Sequence, residues 1–303
     1  MAHQWDPEWT IEPQTALRLI KEQFPELSPE NIHLLGAGWD NTAFIIDETF
    51  VFRFPRREIS LPLLETEWVA LPKLAPHLPV PIPVPTRKGA STPDFPHPFI
   101  GYRMLPGHTA CGSDLSEEER VALAKPIAKF LFALHSIPKS EITGCPIHDD
   151  NRNRIDGSLI TANLKKTFEE LSLLGLLENG EQLAATVENL QYFREPAVSC
   201  IVHGDFYVRH LLVHDSRHLS GVIDWGDVHV GDPAIDLAIM YSFLPPKAHK
   251  TFLETYGPLS KETLALAKLR ALLGSSFLVL FGHHSNDRAI LREGLRSLKM
   301  LST

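Results

Sequence analysis

The sequence predicts an α+β protein of two unequal lobes. Strand-like segments crowd its first third, helical patterns fill most of the rest, and a group of carboxylates and histidines lies among short apolar runs at 203–236. At 303 residues the chain exceeds one typical core and has a natural size for two lobes. We place the expected boundary at Pro106-Gly107, giving an N-terminal lobe over 1–105 and a larger, mainly helical lobe over 106–303.

The elements follow in order. Pro13 sits near the start of a first helix, where a missing N–H costs least. Ala16, Leu17, Ile20 and Phe24 recur at helical spacing before Pro25 stops it. Two apolar runs, 33–35 and 43–46, flank the loop Gly36-Ala37-Gly38-Trp39-Asp40-Asn41 and read as a hairpin. A third strand follows at 50–54. Residues 65–74 suit a short or irregular helix, because Pro72 falls inside it. Prolines 79, 81, 83 and 85 imply extended chain, either polyproline-like or an edge strand, and 99–105 closes the lobe as another strand.

The second lobe opens on a capping box, Ser116-x-x-Glu119, and Ile127, Phe130, Leu131 and Leu134 form one apolar stripe with Pro126 as a kink or restart. Further helices are expected over 162–177 and 182–193, then the short strands of the polar cluster, then helix to the end.

Composition narrows the function classes. A net charge of −8 argues against a nucleic-acid binder, whose affinity rests on clustered Lys and Arg. Cys111, Cys145 and Cys200 form no C-x-x-C pair, so a reducing cytoplasm fits better than a disulfide framework. Asp6, Glu8 and Glu12 stand where a signal peptide would be basic and then apolar, and no run of about 20 apolar residues offers a membrane span. The expectation is a cytoplasmic protein with neither membrane nor nucleic-acid partners.

The cluster reads His203-Gly204-Asp205-Phe206-Tyr207-Val208-Arg209-His210, then Val222-Ile223-Asp224-Trp225-Gly226-Asp227, then Gly231-Asp232-Pro233 and Asp236. Phosphoryl transfer needs such a kit: one carboxylate beside the attacking hydroxyl, and another for the Mg that bridges nucleotide phosphates. Asp205 follows a short strand and suits the first role. Asp224 ends another and suits the second, with His210 as a further metal ligand through a neutral imidazole nitrogen. Asp232 reads as a helix cap and Asp236 as an acceptor for backbone N–H groups of the Asp205 loop. His203 reads as a structural histidine, and His283 and His284 lack a third ligand and suit surface or cap roles.

Upstream, Gly36, Gly38 and Asn41 form a loop whose backbone could approach phosphates. Strand alternation puts Phe50, Phe52 and Phe54 on one face, which must be core, and Val51 and Arg53 on the other, toward a cleft. There Arg53 suits a phosphate and Val51 a purine. Either Glu67 or Glu65 could brace Arg53, since sequence does not fix the helix phase.

This set resembles the aminoglycoside phosphotransferases, a branch of the protein-kinase-like fold that phosphorylates small molecules, over nearly the whole chain. The family's His-Gly-Asp pattern matches His203, Gly204 and Asp205, and its metal-binding Asn is replaced by His210. Its Ile-Asp-x-Gly/Ser-x motif matches 223–227 and its Gly-Asp-Pro-x-x-Asp matches 231–236. The resemblance implies a bilobal kinase-like fold, Arg53 at the family's strand lysine, Glu67 at its helix glutamate, and a base-reading hinge over Gly101, Tyr102, Arg103 and Met104. His210, with the stretches 38–44 and 52–56, is similar to the 2''-aminoglycoside kinases and the macrolide 2'-kinases. Arg53 keeps the lysine's charge and adds a bidentate fork.

The implied reaction moves the γ-phosphoryl group of ATP or GTP, with Mg, to a hydroxyl of an antibiotic-like substrate. Asp205 and Asp227 could line a site for a polycationic aminoglycoside, whereas Asp149, Asp150, Glu169 and Glu170 read as solvated surface. The acid-free run 237–244 suits a macrolide or another less polar alcohol, and helical core packing explains the same residues. A kinase of a metabolic alcohol or sugar shares every motif. A catalytically silent nucleotide-binding protein is the reading from another class.

Overall fold

The computed structural model describes residues 7–38, 40–150, 152–190, 199–215 and 217–302. The first helix, α1 (Pro13–Gln23), starts on its proline and buries Ala16, Leu17, Leu19 and Ile20. Strands β1 (Ile32–Ala37), β2 (Asn41–Ile46) and β3 (Phe50–Pro55) pair antiparallel, and they extend the two expected hairpin runs inward to the loop. Helix α2 (Ser60–Leu74) begins before the expected 65 and carries Pro72 without interruption. Strands β4 (Pro85–Gly89) and β5 (Phe99–Arg103) complete a five-stranded sheet in the order β1-β2-β3-β5-β4. The proline-rich approach thus ends in an edge strand, where a missing N–H is tolerated.

Alternation along β3 sets the faces of this sheet. Phe52 and Phe54 join Phe44, Phe95 and Phe99 in a core closed by α1, with Phe54 and Phe99 stacked 4.4 Å apart. The opposite face carries Val51 and Arg53, with Ile45 and Ala43 beside them on β2 and Tyr102 and Ile100 on β5.

The helical lobe follows β6 (His108–Thr109). Helix α3 (Glu117–His135) has both bonds of the Ser116/Glu119 capping box and runs through Pro126 unbroken. Helix α4 (Gly157–Leu173) starts earlier than expected because Asp156 caps it, and α5 (Gly180–Asn189) covers most of the next expected helix, whose end at 191–193 lies outside the described residues. Strands β7 (Cys200–Val202), β8 (Leu211–Val213), β9 (Leu219–Val222) and β10 (His229–Gly231) form two small antiparallel sheets, β10-β7 and β6-β8-β9. Helices α6 (Ala234–Ser242), α7 (Pro246–Tyr256), α8 (Lys261–His284) and α9 (Arg288–Leu301) end the chain. The protein is bilobal, β-rich first and helical after.

Packing decides how two apolar stretches are read. Helix α8 is long and apolar enough to cross a membrane by composition, but 56% of that stretch is buried inside the protein and it packs on α4, α6 and α9. The run 237–244 offers no apolar substrate wall: Leu237, Ile239, Met240, Phe243 and Leu244 are buried in the core.

Candidate active site

The Asp205 loop hangs from one buried carboxylate. Asp236, in the first turn of α6, accepts from the backbone N–H of His203 at 2.7 Å and of Gly204 at 2.9 Å, and its Oδ2 also meets His135 Nε2 at 3.1 Å. Burial alone would raise its pKa, but His135, His203 and these N–H groups outweigh burial and hold it below the usual carboxylate range. Gly204 has φ +84, and a Cβ there would lie 2.2 Å from the Asp227 carbonyl oxygen. His203 is structural. It donates through Nε2 to the Ile223 carbonyl at 3.0 Å, Nδ1 accepts from the Asp205 N–H at 3.3 Å, and burial lowers its pKa to about 4.

Asp205 therefore sits on a fixed turn with its side chain 42% exposed to the cleft. Loss of hydration there raises its pKa to about 6 despite the nearby charges of His210 and Arg270. Asp232 accepts from the Ala234 N–H at 2.7 Å and so caps α6.

Asp224 follows β9 in a left-handed conformation, φ +64. This turns its carboxylate toward His210, whose Nε2 lies 3.3 Å from Asp224 Oδ2. His210 Nδ1 is 2.8 Å from the Asp205 carbonyl and donates to it, which leaves Nε2 facing the carboxylate. Two acceptors so placed need a proton or a cation between them. Burial opposes charge on His210, but Asp224 and Asp205 overcome it and raise the pKa. Asp224 fits Mg, which is typically held by one or two carboxylates with water and substrate phosphates, and the His210 imidazole would join it as a softer donor. Among the described residues no group of three or more His, Cys, Asp or Glu could hold an ion without such help.

Arg53 joins the two lobes. Its Nη1 reaches Glu67 Oε1 and Oε2 at 2.8 and 2.6 Å, and its Nη2 reaches Asp224 Oδ1 at 3.1 Å. Glu65 turns outward to Lys88, so the helix phase selects Glu67. Burial opposes the charge of Arg53, and Glu67 and Asp224 overcome it, raising its pKa. Burial likewise pushes Asp224 up, but Arg53 and His210 hold it far below the usual range.

The glycine loop is short and braced. Gly38 N–H donates to the Asn41 carbonyl at 3.0 Å, Arg56 N–H to Asp40 O at 2.8 Å, and Arg57 pairs with Asp40 at 2.6 Å; Trp39 lies outside the described residues. The Gly38 amide is thus turned inward, not toward a phosphate. Neither Gly36 nor Gly38 is required by the backbone: a Cβ on Gly36 would meet nothing within 4 Å, and one on Gly38 only Asn41 O at 3.9 Å. The space they leave, beside a buried and unpartnered Asn41 Oδ1, fits a close-lying ligand.

Most of the expected hinge is strand. Gly101, Tyr102 and Arg103 lie inside β5, paired with β3, and the Met104 N–H donates to Thr49 O at 2.8 Å. Gly101 serves packing, since a Cβ would lie 2.4 Å from the Phe52 ring.

Asp227 is paired on one oxygen, its Oδ1 lying 2.6 Å from Arg154 and 3.2 Å from Arg152. Asp150 is engaged as well, accepting from Arg154 N–H at 2.7 Å. These arginines, with Arg270 on α8 and His135, escaped sequence reading because no local pattern brings them to Asp205.

A two-lobed enzyme with a carboxylate loop, a carboxylate–imidazole pair and a lobe-spanning arginine belongs among the phosphotransferases. The signature of the phosphotransferase enzyme family matches residues 31–272, and the chain belongs to that family. The uncharacterized protein YcbJ of Bacillus subtilis (strain 168) is 25% identical over 78% of each chain. The aminoglycoside 3'-phosphotransferase of Escherichia coli is 30% identical over 58% of this chain and 64% of its own length. In fold the chain is similar to the GDP complex of aminoglycoside 2'-phosphotransferase-IIIa, at TM-score 0.70 and 23% identity over 96% and 99% of the two chains. It is also similar to macrolide 2'-phosphotransferase type I, at TM-score 0.63 and 21% identity over 97% and 98%.

Proposed function

We propose that this phosphotransferase moves the γ-phosphoryl group of ATP or GTP to a hydroxyl of a small, antibiotic-like molecule in the cytoplasm. The observation that carries this reading is the convergence of Asp205, His210, Asp224 and Arg53 at one cleft between the lobes. Asp205 orients the acceptor hydroxyl and takes its proton as the oxygen attacks phosphorus. Arg53, fixed by Glu67, holds phosphate oxygens with its fork, and Ala43, Ile45 and Val51 supply an apolar roof for the base. His210 and Asp224 would hold Mg, which when bound neutralises charge on the nucleotide phosphates.

The likeness to an aminoglycoside and a macrolide phosphotransferase supports an aminoglycoside or macrolide acceptor. The ion pairs that occupy Asp227 favour the second reading, a metabolic alcohol or sugar. Nucleoside diphosphate release should be measured with ATP and with GTP, across aminoglycosides, macrolides and small metabolic alcohols. Acceptor-stimulated release supports transfer; nucleotide binding with no release under any acceptor would leave only a silent binding protein.

A further inference from the structure

Three helix ends meet behind the Asp205 turn. His135 is the last residue of α3, Asp236 lies in the first turn of α6, and Tyr256 is the last residue of α7. All three side chains are buried. The Tyr256 hydroxyl lies 2.8 Å from His135 Nδ1, and His135 Nε2 lies 3.1 Å from Asp236 Oδ2. Asp236 ends the chain of contacts on the N–H groups of His203 and Gly204.

The role of each atom follows from what it can donate. The ionised Asp236 carboxylate only accepts, so His135 Nε2 carries a proton and donates to it. That leaves Nδ1 to Tyr256, whose hydroxyl can donate to a bare ring nitrogen or accept from a protonated one. Burial keeps Tyr256 in its hydroxyl form. Its ring is held independently of this bond, stacked on Phe252 with 7° between the planes and edge-on to Phe132. The hydroxyl is therefore a fixed point, and it sets which way the imidazole faces.

Asp236 Oδ2 is shared between the imidazole and the His203 N–H, whereas Oδ1 takes the Gly204 N–H. Loss of the imidazole would leave this fully buried carboxylate two donors instead of three, both of them in the turn that precedes Asp205. The Asp205 carboxylate depends on that turn for its aim, since its ion-pair contact with His210 Nδ1 is 3.6 Å long, beyond a hydrogen bond. Arg53 and Glu67, the pair assigned to nucleotide phosphates, stand on β3 and α2 and touch none of the three.

We propose that His135 and Tyr256 are positioning residues for phosphoryl transfer: Tyr256 orients His135, His135 fixes Asp236, and Asp236 holds the turn that aims Asp205. The inference rests on the phosphotransferase reading above and adds two residues, remote from the cleft, on which its chemical step depends.

The test compares Tyr256→Phe, His135→Ala and His135→Gln in the full chain. Steady-state release of nucleoside diphosphate is measured from ATP and from GTP, with kanamycin, erythromycin, choline or water alone as acceptor. Tyr256→Phe should lower kcat about three- to tenfold and His135→Ala about ten- to hundredfold, with the nucleotide KM within about twofold of the parent. His135→Gln, whose amide can place an N–H where Nε2 stood, should recover most of the loss. The double variant Tyr256→Phe/His135→Ala should be no slower than His135→Ala alone, because the two act in series. Hydrogen exchange at the His203 and Gly204 amides should quicken in Tyr256→Phe while exchange in β2 and β3 stays as in the parent. A parental kcat in Tyr256→Phe, a fall in kcat matched by an equal rise in nucleotide KM, or exchange that quickens evenly through the protein would overturn the inference alone. Tyr256→Phe decides the point even if His135→Ala does not fold. A parent protein that releases no diphosphate with any of these acceptors would overturn the phosphotransferase reading, and this inference with it.

Discussion

Arg53 on β3 and Asp224 after β9 meet at 3.1 Å, although most of the chain separates them in sequence. The same guanidinium is held by both oxygens of Glu67, so one planar fork ties the sheet, α2 and the Asp224 turn together. A lysine has the charge but not the fork. Arg53→Lys should leave the fold intact and raise the nucleotide KM about tenfold, because a single ammonium cannot hold both partners in this geometry. Steady-state kinetics against nucleotide would show it, and an unchanged KM would remove Arg53 from the phosphate site.

Glu67 should matter to folding as well. Glu67→Ala strands a buried guanidinium with one remaining partner, a change of about 3–5 kcal/mol for buried pairs. Glu65→Ala removes an exposed contact with Lys88, for which about 0–1 kcal/mol is ordinary. Thermal unfolding of the two variants should separate them clearly; equal melting temperatures would contradict the buried pair.

Asp205 and Asp224 should fail differently. Asp205→Asn keeps the Asp236-held turn and should bind nucleotide while turnover drops by about 10²–10⁴. Asp224→Ala should instead lose Mg-dependent nucleotide binding. Calorimetric titration of nucleotide with and without Mg distinguishes the two, and Mg-dependent binding retained by Asp224→Ala would argue against its metal role.

What could be read from the sequence was local. The Phe50/Phe52/Phe54 face, the Ser116 capping box and the bond from Asp236 to the Asp205 loop follow from spacing along short segments. Glu67 over Glu65 depended on helix phase, which the early start of α2 at Ser60 fixes and its sequence does not. The arginines near Asp205 were hidden for a deeper reason. Arg152 and Arg154 come from the loop before α4, and only tertiary packing carries them to Asp227. The run 237–244, open in sequence between a substrate wall and helical core, is core in three dimensions.

Gly204 carries a backbone requirement that can be tested directly. Its φ of +84 is costly for any residue with a Cβ, and that Cβ would collide with the Asp227 carbonyl oxygen. Gly204→Ala should lower the melting temperature and cut turnover more than nucleotide affinity, because the turn that aims Asp205 must move. Activity and melting temperature both equal to the parent would show that the turn is not so constrained.

Asp236 gives the pH prediction. Its pKa is lowered in the folded protein, where His135 and the backbone N–H groups of His203 and Gly204 outweigh the effect of burial. A depressed carboxylate contributes stability above its unfolded pKa, near about 3.9, and loses it as pH falls through the lower folded value. Asp236→Asn replaces one acceptor oxygen with a donor facing backbone N–H groups, so it should melt well below the parent at pH 7. The gap should narrow below about pH 4, where the carboxylate of the unfolded parent begins to take up a proton. Melting temperatures of both proteins from pH 7 to pH 3 would show the convergence. A gap that stays constant over that range would mean that the Asp236 charge does not hold the catalytic turn.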